Sequence, residues 1–418
     1  MTATIILTQP PEHRILRFRR TLASLYTMTS KPHEEAFSPD AVALEYQRLR
    51  SLVDETVDQI TVDFLRSLGD DTGPLSAAVR DATQGGKRFR ALCAQIGAAI
   101  AADLDEENRG LSSVELLQRG AALPGVMELC AALEQYQAAA LVHDDVIDKS
   151  DVRRGRPSTH MQIRHSHEDR NLMGNQNIYG QDGAILAGDL LLAAAENSLA
   201  RSLAGADSET SVSVLRHYAF MTGQVALGQF RDMTGSYIDP AEQHQETNPQ
   251  SALESALSVL RVKAALYSVV HPAVLGALRA GADDQVVQTL MSILEPAGIA
   301  FQLRDDELGA FGDATVTGKP VGIDISEGKR TVLLALAWKN SDEAERALLA
   351  NAYRSPSPTA EQVEEAVAVL AKNGRQEHEK MIAELSQRAL TNLEESNLSE
   401  GAEGLLRFLV SILTERDS

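Results

Sequence analysis

A long apolar segment that ends in a cluster of aspartates constrains this chain more than any other feature. Residues 126–148 are rich in alanine and carry few charges before Asp144, Asp145 and Asp148. On a helix, Asp144 and Asp148 share a face, whereas Asp145 lies about 100° round. Three like charges this close repel unless a cation neutralises them, and Mg²⁺ takes oxygen ligands that it commonly shares with phosphates. The pattern favours a metal-bound phosphate in a cavity over the alternative, a solvated acidic helix end.

The rest of the chain predicts an all-α fold. Of 418 residues, 44% are hydrophobic but only 4% are aromatic, and alanine and leucine dominate, which favours helix over strand. We therefore predict one large helical bundle around a central cavity over residues 38–418, preceded by an extension over 1–37. The polar stretches 160–182 and 235–250 are predicted connections. Helical patterns span 42–68, 87–102, 126–148, 183–204, 208–234, 252–280, 284–311, 328–340, 342–353, 359–373, 375–395 and 402–415.

Charge and cysteine usage exclude several classes of protein. A net charge of −20 argues against nonspecific nucleic-acid binding and against docking on an anionic membrane. No apolar run approaches the roughly 18 residues of a membrane span, and the N-terminus does not resemble a signal peptide. Cys93 and Cys130 lack metal-site spacing and are expected to be free thiols of a reducing compartment. These features predict a cytoplasmic protein without a membrane span.

A second acidic pair, Asp305 and Asp306, lies near the end of another apolar helix. Cations follow both acidic clusters: Arg153 and Arg154 the first, Lys319 and Lys329 the second. Arginine binds phosphate oxygens in a fork and keeps its charge, although ion pairs with nearby aspartates are the alternative. Two acidic helix ends with cations close behind them predict a diphosphate held through Mg²⁺.

A basic turn near the start of the domain predicts a second anion site. The segment Gly85-Gly-Lys-Arg-Phe-Arg90 opens a helix, and free backbone N–H groups at a helix N-terminus attract anions. Lys87, Arg88 and Arg90 would be unfavourable at that positive end without an anion nearby. Lys263, a lone cation in an apolar helix, is by itself expected to be a surface or snorkelling residue.

Together these segments resemble the trans-isoprenyl diphosphate synthases, the polyprenyl synthetase family, and most closely its geranylgeranyl diphosphate synthases. The resemblance covers most of the chain from about residue 40. Five motifs occur in the family's order and approximate spacing: 85–90, Asp144-Asp-Val-Ile-Asp148, Arg153-Arg-Gly-Arg-Pro157, Phe301-Gln-Leu-Arg-Asp-Asp306 and Gly318-Lys319.

The resemblance implies specific roles for the matching residues. The first and second aspartate motifs chelate three Mg²⁺ ions, which Mn²⁺ can replace, on an allylic diphosphate, and other matching residues contact one of the two diphosphates. The implied metal ligands are Asp144, Asp145, Asp148, Asp305 and Asp306. The implied allylic site contains Arg153, Lys263, Lys319, Lys329 and Gln302, and the isopentenyl diphosphate site contains Lys87, Arg90, Arg154 and Gln137.

Two positions depart from the family's pattern. The second motif usually ends in a third aspartate, and here that position is Gly309. The second motif is therefore expected to supply fewer ligands to Mg²⁺, or to have its coordination completed by water. Ala264 follows Lys263 where relatives often have threonine.

The resemblance also implies the chemistry. The allylic C–O bond ionises, the double bond of isopentenyl diphosphate attacks the allylic cation, and a proton leaves. The tail is expected to grow beside the 126–148 helix, past Ala139 and Ala140. Tyr136 precedes Asp144 by eight residues, or about 12 Å at roughly 1.5 Å per residue. As a floor it gives a product of about twenty carbons, geranylgeranyl diphosphate; if Tyr136 instead points into the bundle, other side chains set the depth and a longer polyprenyl product is the alternative.

Two other functions use similar features. A class I terpene cyclase also has an Asp-rich Mg²⁺ site, but it usually lines its pocket with aromatics and lacks a Gly-Gly-Lys diphosphate site. A non-catalytic subunit of a heteromeric prenyltransferase tends to lose the first aspartate motif, which is complete here. The family further implies a homodimer.

Overall fold

The computed structural model describes residues 39–69, 72–104, 106–108, 110–243, 249–312, 321–355 and 357–414. The predicted extension over 1–37 and the predicted phosphate ligand Lys319 lie outside these residues. Within them the all-α prediction is confirmed, because apart from one hairpin of two two-residue strands every regular element is helical.

The first half of the chain forms the helices that surround the acidic motif. They are α1 (Pro39–Ser67), α2 (Pro74–Ala82), α3 (Phe89–Ala102), α4 (Ser113–Ala122), α5 (Val126–Ile147), α6 (Thr159–Asp169), α7 (Gln176–Ser202) and α8 (Ser208–Tyr237). A 3-10 turn, Glu106–Asn108, precedes α4, and the antiparallel strands β1 (Val152–Arg153) and β2 (Arg156–Pro157) follow α5.

The second half completes the bundle. Its helices are α9 (Pro240–Gln243), α10 (Pro249–Leu260), α11 (His271–Arg279), α12 (Asp284–Phe311), α13 (Ile323–Ser326), α14 (Val332–Asn340), α15 (Glu343–Arg354), α16 (Ala360–Asn373), α17 (Arg375–Glu394) and α18 (Glu400–Thr414). A π-helical segment, Arg261–Val270, joins α10 to α11 without a loop. The amide of His271 accordingly donates to the carbonyl of Leu266, five residues earlier.

Several helices begin where a short polar side chain caps them. Asp207 accepts a hydrogen bond from the amide of Thr210 at the start of α8, and Asp283 does the same for Val286 at the start of α12. Ser112 and Glu115 form a complete capping box at α4. These caps explain why the two long helices that carry site residues start where they do.

The first acidic helix lies in the centre of the bundle. Helix α5 packs most extensively against α7 and also contacts α1, α3 and α4. Its apolar residues Leu129 and Leu133 are fully buried, as are Cys93 on α3 and Cys130 on α5, which are free thiols. Central placement explains why residues 126–148 show no single polar face before the aspartates.

The polar stretch 160–182 is not a connection, and that prediction was wrong. It contains α6 and the first turns of α7, whose glycines allow the two helices to touch. A Cβ on Gly183 would lie 2.7 Å from Ile163 of α6, and one on Gly180 would overlap with the carbonyl oxygen of His160. Glycine there serves close helix packing, although in a sequence it indicates a turn.

Three helices are long and apolar enough to cross a membrane by length and composition alone. They are Gln176–Ser202, Ser251–Arg279 and Asp284–Phe311, with 44%, 67% and 50% of their most apolar windows buried inside the protein. Scattered polar residues interrupt each apolar run, so the sequence showed no continuous span. The absence of a membrane span therefore stays a prediction.

Candidate active site

A cavity of about 1230 Å³ lies between α5, α7, α8, the π-helical segment, α12 and the residues before α14. Carboxylates and cations line one part of it, and apolar and tyrosine side chains line another. Asp144 of α5 and the pair Asp305 and Asp306 of α12 all line this one cavity. The two acidic clusters, 161 residues apart in the chain, are thus brought together.

The three aspartates of the first motif have different surroundings. Asp144 lines the cavity and accepts a hydrogen bond from Gln229 Nε2 at 2.7 Å. Asp145 is only 3% exposed and binds Arg153, whose Nε lies 2.8 Å from Oδ1. Asp148 follows the end of α5; partial burial and the charge of Asp144 raise its pKa to about 6, while Lys263 and Lys329 oppose this. Asp144 and Asp148 therefore remain available to a cation, whereas Asp145 is committed to Arg153.

Lys263 is a cavity residue, and the expectation of a surface or snorkelling cation was wrong. Its Nζ lies 2.5 Å from Asp232 Oδ2 and 3.9 Å from Asp144 Oδ1. It projects from the π-helical segment, as do the cavity residues Tyr267 and Ser268. Asp232 of α8 thus holds the ammonium group beside the first acidic motif.

The second acidic cluster contains a carboxylate that the sequence did not single out. Asp324 of α13 lines the cavity beside Asp306, and burial, then the charges of Asp324 and Asp305, raise the pKa of Asp306 well above its usual range. Gln302 Nε2 donates to Asp306 Oδ1 at 3.2 Å. Lys329 Nζ binds Asp324 Oδ1 at 3.2 Å and Glu327 at 2.5 Å. Although burial disfavours the charge of Lys329, these two carboxylates outweigh it and raise the lysine pKa.

The Asp324 carboxylate also occupies the space beside Gly309. A Cβ on Gly309 would lie 2.8 Å from Cγ of Asp324 and would overlap with its carboxylate oxygen. The position that usually bears the third aspartate of the motif is therefore open, and a carboxylate from another helix fills the space. The expectation of fewer ligands at Gly309 overlooked this side chain.

The basic turn before α3 divides into two parts. Lys87 and Arg90 line the cavity, and the Arg90 guanidinium lies 4.2 Å from the centre of the Tyr267 ring and donates to Ser268 at 2.7 Å. Arg88 is instead 6% exposed and binds Asp54 at 2.6 Å and the carbonyl of Thr83. Of the three basic residues, only two face the cavity.

The side chain of Arg154 packs against the turn formed by Gly85 and Gly86, just before Lys87 and Arg90. Its Nη1 donates to the carbonyl of Gln84 at 3.0 Å, and a Cβ on Gly86 would lie 2.9 Å from its Nη2. Gly85 and Gly86 have φ values of 73° and 89°, a region that favours glycine. Burial, then the charge of Arg88, lowers the pKa of Arg154. Such crowding of cations favours a bound anion.

The implied cation fits this donor set when it is shared with a ligand. Among the residues that the structure describes, no three His, Cys, Asp or Glu side chains converge tightly enough to hold an ion. Mg²⁺ usually binds through one or two carboxylates and completes its shell with water and substrate phosphates. Asp144 on one side and Asp305 and Asp306 on the other match that mode of binding.

Two of the three candidate chain-length residues, Tyr136 and Ala140, lie in the same cavity, and Ala139 does not. Ala140 and Tyr136 line it, and Gln137 accepts a hydrogen bond from the Tyr267 hydroxyl at 2.7 Å. Ala139 is fully buried in a cluster with Leu65, Val142 and Ala187, so it faces α1 and α7 rather than the cavity. The prediction that Ala139 borders the growing tail was therefore wrong.

Sequence reasoning did not single out several cavity residues with polar or aromatic side chains, among them Gln229, Asp232, Asp324, Tyr218 and Tyr267. Gln229 and Asp232 are three residues apart on one helix, which is a detectable signal because such residues share a face. The chain has only eight tyrosines, so three that lie within helical patterns, Tyr136, Tyr218 and Tyr267, could have been predicted to line a common site.

Comparisons with known proteins agree with this geometry. Residues 73–370 match the family model described as polyprenyl synthetase. The chain belongs to the polyprenyl synthetase family.

Individual relatives extend this result. A geranylfarnesyl diphosphate synthase from Aeropyrum pernix is 32% identical over 69% of this chain and 77% of its own length. A geranylgeranyl diphosphate synthase from Saccharolobus solfataricus is 29% identical over 68% and 78%. The solved geranylgeranyl pyrophosphate synthase of Corynebacterium glutamicum, complexed with isoprenyl diphosphate and magnesium, is 33% identical, covers 88% of this chain and 98% of its own, and superposes with a TM-score of 0.75. The resemblance drawn from the five motifs is confirmed.

Proposed function

We propose that this protein condenses isopentenyl diphosphate head-to-tail with an allylic diphosphate of five to fifteen carbons. The product is all-trans geranylgeranyl diphosphate, and diphosphate is released. The observation that carries the proposal is the single cavity that joins two acidic clusters and two groups of cations to an apolar, tyrosine-ended part. Relatives of both sizes, twenty and twenty-five carbons by their names, support the reaction class.

The metal-binding part of the proposal uses the carboxylates that face one another. Asp144, Asp305 and Asp306, which line the cavity, would hold Mg²⁺, or Mn²⁺ in its place, and Asp324 lies close enough to Asp306 to support them. Asp148, which senses the charges of Asp144 and Lys263, would assist from the end of α5. When bound, the cations supply positive charge that favours departure of the allylic diphosphate. The solved relative that contains magnesium and isoprenyl diphosphate supports this choice of ion.

The cations of the chain divide between two diphosphates. Lys263, held by Asp232, and Lys329, held by Asp324, would bind the allylic diphosphate together with Arg153 and Lys319. Lys87 and Arg90 would bind isopentenyl diphosphate, with Arg154 behind them and Gln137 oriented by Tyr267. Fixed cations aimed at a leaving group stabilise its charge as the bond breaks.

The bond changes need no protein nucleophile. The allylic C–O bond breaks, and its electron pair leaves with the diphosphate. The isopentenyl double bond then forms the new C–C bond, and a proton is lost to the released diphosphate. The chain's residues bind and orient the two substrates and exclude water.

A longer polyprenyl product is the second candidate, because the relatives include a twenty-five-carbon synthase. The cyclase alternative is disfavoured by the Lys87 and Arg90 site for a second diphosphate. The subunit alternative is disfavoured by the complete first motif.

We further propose that the protein is a cytoplasmic homodimer without a membrane span. The outer faces of α7 and α8 carry exposed apolar side chains, which a second copy would cover. They are Ile178, Ile185 and Leu186 on α7, and Val212, Leu215, Phe220, Leu227 and Phe230 on α8. The three long apolar helices are half-buried against the bundle and carry cavity residues such as Lys263, which supports packing in a soluble domain.

The test is an elongation assay with purified protein, Mg²⁺, isopentenyl diphosphate and each allylic diphosphate of five, ten and fifteen carbons. A twenty-carbon linear diphosphate is expected by mass spectrometry, and EDTA or Asp144→Asn should abolish it. No elongation with any primer by a folded protein would contradict the proposal and favour the subunit role.

A further inference from the structure

Two helices each present a polar residue, then a small residue and finally a tyrosine to the cavity. On α5, Asp144 is followed toward the N-terminus by Ala140 and then Tyr136. On α8, Gln229, which binds Asp144, is followed by Ala226, Thr222 and then Tyr218. Both helices run with their C-terminal ends toward the carboxylates. On each wall small residues lead to a tyrosine, and the larger side chains Gln137, Leu141 and Val225 lie beside them.

The two tyrosines meet at the deep end. Their ring centres are 6.1 Å apart in an edge-to-face arrangement, and both rings are 7% exposed. The Tyr136 hydroxyl donates to the carbonyl of Thr222, one turn from Tyr218, at 3.3 Å. Tyr218 lies eleven residues before Gln229, or about 16 Å at roughly 1.5 Å per residue. It therefore stands slightly deeper than Tyr136, on the opposite wall.

Helix α7 forms a third wall of the cavity, and its Glu196 lies at about the depth of the two tyrosines. Glu196 of α7 lines the cavity two turns from Gly188, which touches His143 near the carboxylates. Its charge acts on Tyr218, whose pKa is raised by burial, then by Tyr136, Tyr267 and Glu196. Glu196 is exposed, so an apolar tail that passed the tyrosines would meet a polar, solvent-facing side chain rather than an apolar pocket.

We propose that Tyr218 is a second specificity-determining residue for product length and forms a two-part floor with Tyr136. This inference rests on the proposed elongation of prenyl diphosphates. Because each wall contributes one ring to this floor, truncation of either ring alone is expected to lengthen the product less than truncation of both.

The experiment compares the product lengths of four proteins from the same primer: the unaltered chain, Tyr136→Ala, Tyr218→Ala and the double variant. Tyr218→Ala is expected to shift the main product by at least one isoprene unit, and the double variant is expected to give longer products than either single variant. Tyr218→Phe keeps the ring and is expected to keep the length. Phe408→Ala, which truncates a buried ring of α18 outside the cavity, controls for general loosening.

The outcomes separate this inference from the proposed function. If the unaltered chain elongates but Tyr218→Ala gives the same lengths, while thermal melting shows a folded variant, the two-part floor is overturned. If Phe408→Ala lengthens the product equally, the effect is loosening and the inference also fails. If the unaltered chain does not elongate any primer, the proposed function itself is wrong.

Discussion

The position of the Lys263 ammonium group depends on Asp232, which comes from another helix. Its ammonium group is held 2.5 Å from Asp232 Oδ2, and this contact directs it toward Asp144. A lysine side chain has several rotatable bonds, so a fixed partner reduces the freedom that it loses on binding a phosphate.

We expect Asp232→Asn to reduce turnover roughly 10–100-fold, the usual cost of removing a residue that orients a site. The amide retains the shape but loses the charge that holds the ammonium group. Steady-state kinetics with the allylic substrate, together with calorimetric binding of a non-reactive diphosphate, provide the measurement. Asp182→Asn on the exposed surface of α7 is the matched control, and equal losses in both variants would show that the ion pair has no special role.

A histidine pair, with His271 buried and His217 partly buried, predicts a pH-dependent stability. His217 Nε2 and His271 Nδ1 are 2.9 Å apart, and His271 Nε2 contacts Gln224 at 2.8 Å. Burial lowers the pKa of His217 to about 4 and that of His271, next to His217 and Arg261, to about 3. Between about pH 6.5 and 4 the unfolded chain therefore binds more protons than the folded one, so stability falls as the pH falls.

Each histidine is expected to contribute at most about 1.4 kcal/mol per pH unit over that range. Urea unfolding at several pH values should show a flatter dependence for His271→Gln than for the unaltered chain. His165→Gln, at an exposed position of α6, should retain the original slope. Parallel curves for all three proteins would mean that the pair is protonated in the folded state.

The residue types of the site were predictable, but their partners were not. Asp144, Asp305, Lys87 and Arg90 stand in local patterns that carry their chemistry. Asp232 and Asp324 matter because folding brings them beside a lysine and a glycine that are distant in the chain, and no local spacing encodes that approach.

At the scale of elements, glycines allow helices α3 and α11 to pack closely. A Cβ on Gly97 of α3 would lie 2.6 Å from the carbonyl carbon of Ala273, and one on Gly276 of α11 would lie 2.6 Å from that of Ala94. The two contacts are reciprocal, and they let the backbones of α3 and α11 touch directly.

We expect Gly97→Ala to destabilise the protein by about 1–3 kcal/mol, because the added methyl group forces the two backbones apart. Alanine is the better helix former, so propensity alone predicts the opposite sign. In Gly235→Ala of α8 the new Cβ would lie 3.6 Å from Arg330, an ordinary contact. That control should be neutral or more stable by about 0.5–1 kcal/mol, and calorimetric melting would compare the two. A neutral Gly97→Ala would contradict the close crossing.

Helices with clear apolar patterns were predicted well, and helices rich in glycine or polar residues were not. The expected pattern 284–311 is the helix Asp284–Phe311, and 126–148 differs from Val126–Ile147 by one residue. Helix α6 was missed because four of its eleven residues are histidine or arginine and its apolar contacts are few. Its burial depends on the glycines of α7, which is a tertiary property.

At the scale of the whole molecule, the exposed apolar face of α7 and α8 predicts self-association. Leu227 and Phe230 are 50% and 60% exposed and lie three residues apart on α8. We expect the double variant Leu227→Glu, Phe230→Glu to be monomeric by size-exclusion chromatography with light scattering, and the unaltered chain to be a dimer. Leu44→Glu, at a 74% exposed position of α1, should remain dimeric. A monomeric unaltered chain would remove the proposed role of this face.

The π-helical segment Arg261–Val270 is expected to tolerate insertions and deletions of residues less well than the surface loops do. A surface loop absorbs an added or lost residue at little cost. Deletion of one residue within 261–270 would restore ordinary helical pairing and rotate everything before it by about 100° relative to α11. Lys263 would then leave Asp232, and the cavity would lose a cation although no charged residue had been removed. Insertions and deletions among members of this family are therefore expected in the loops and not in this segment.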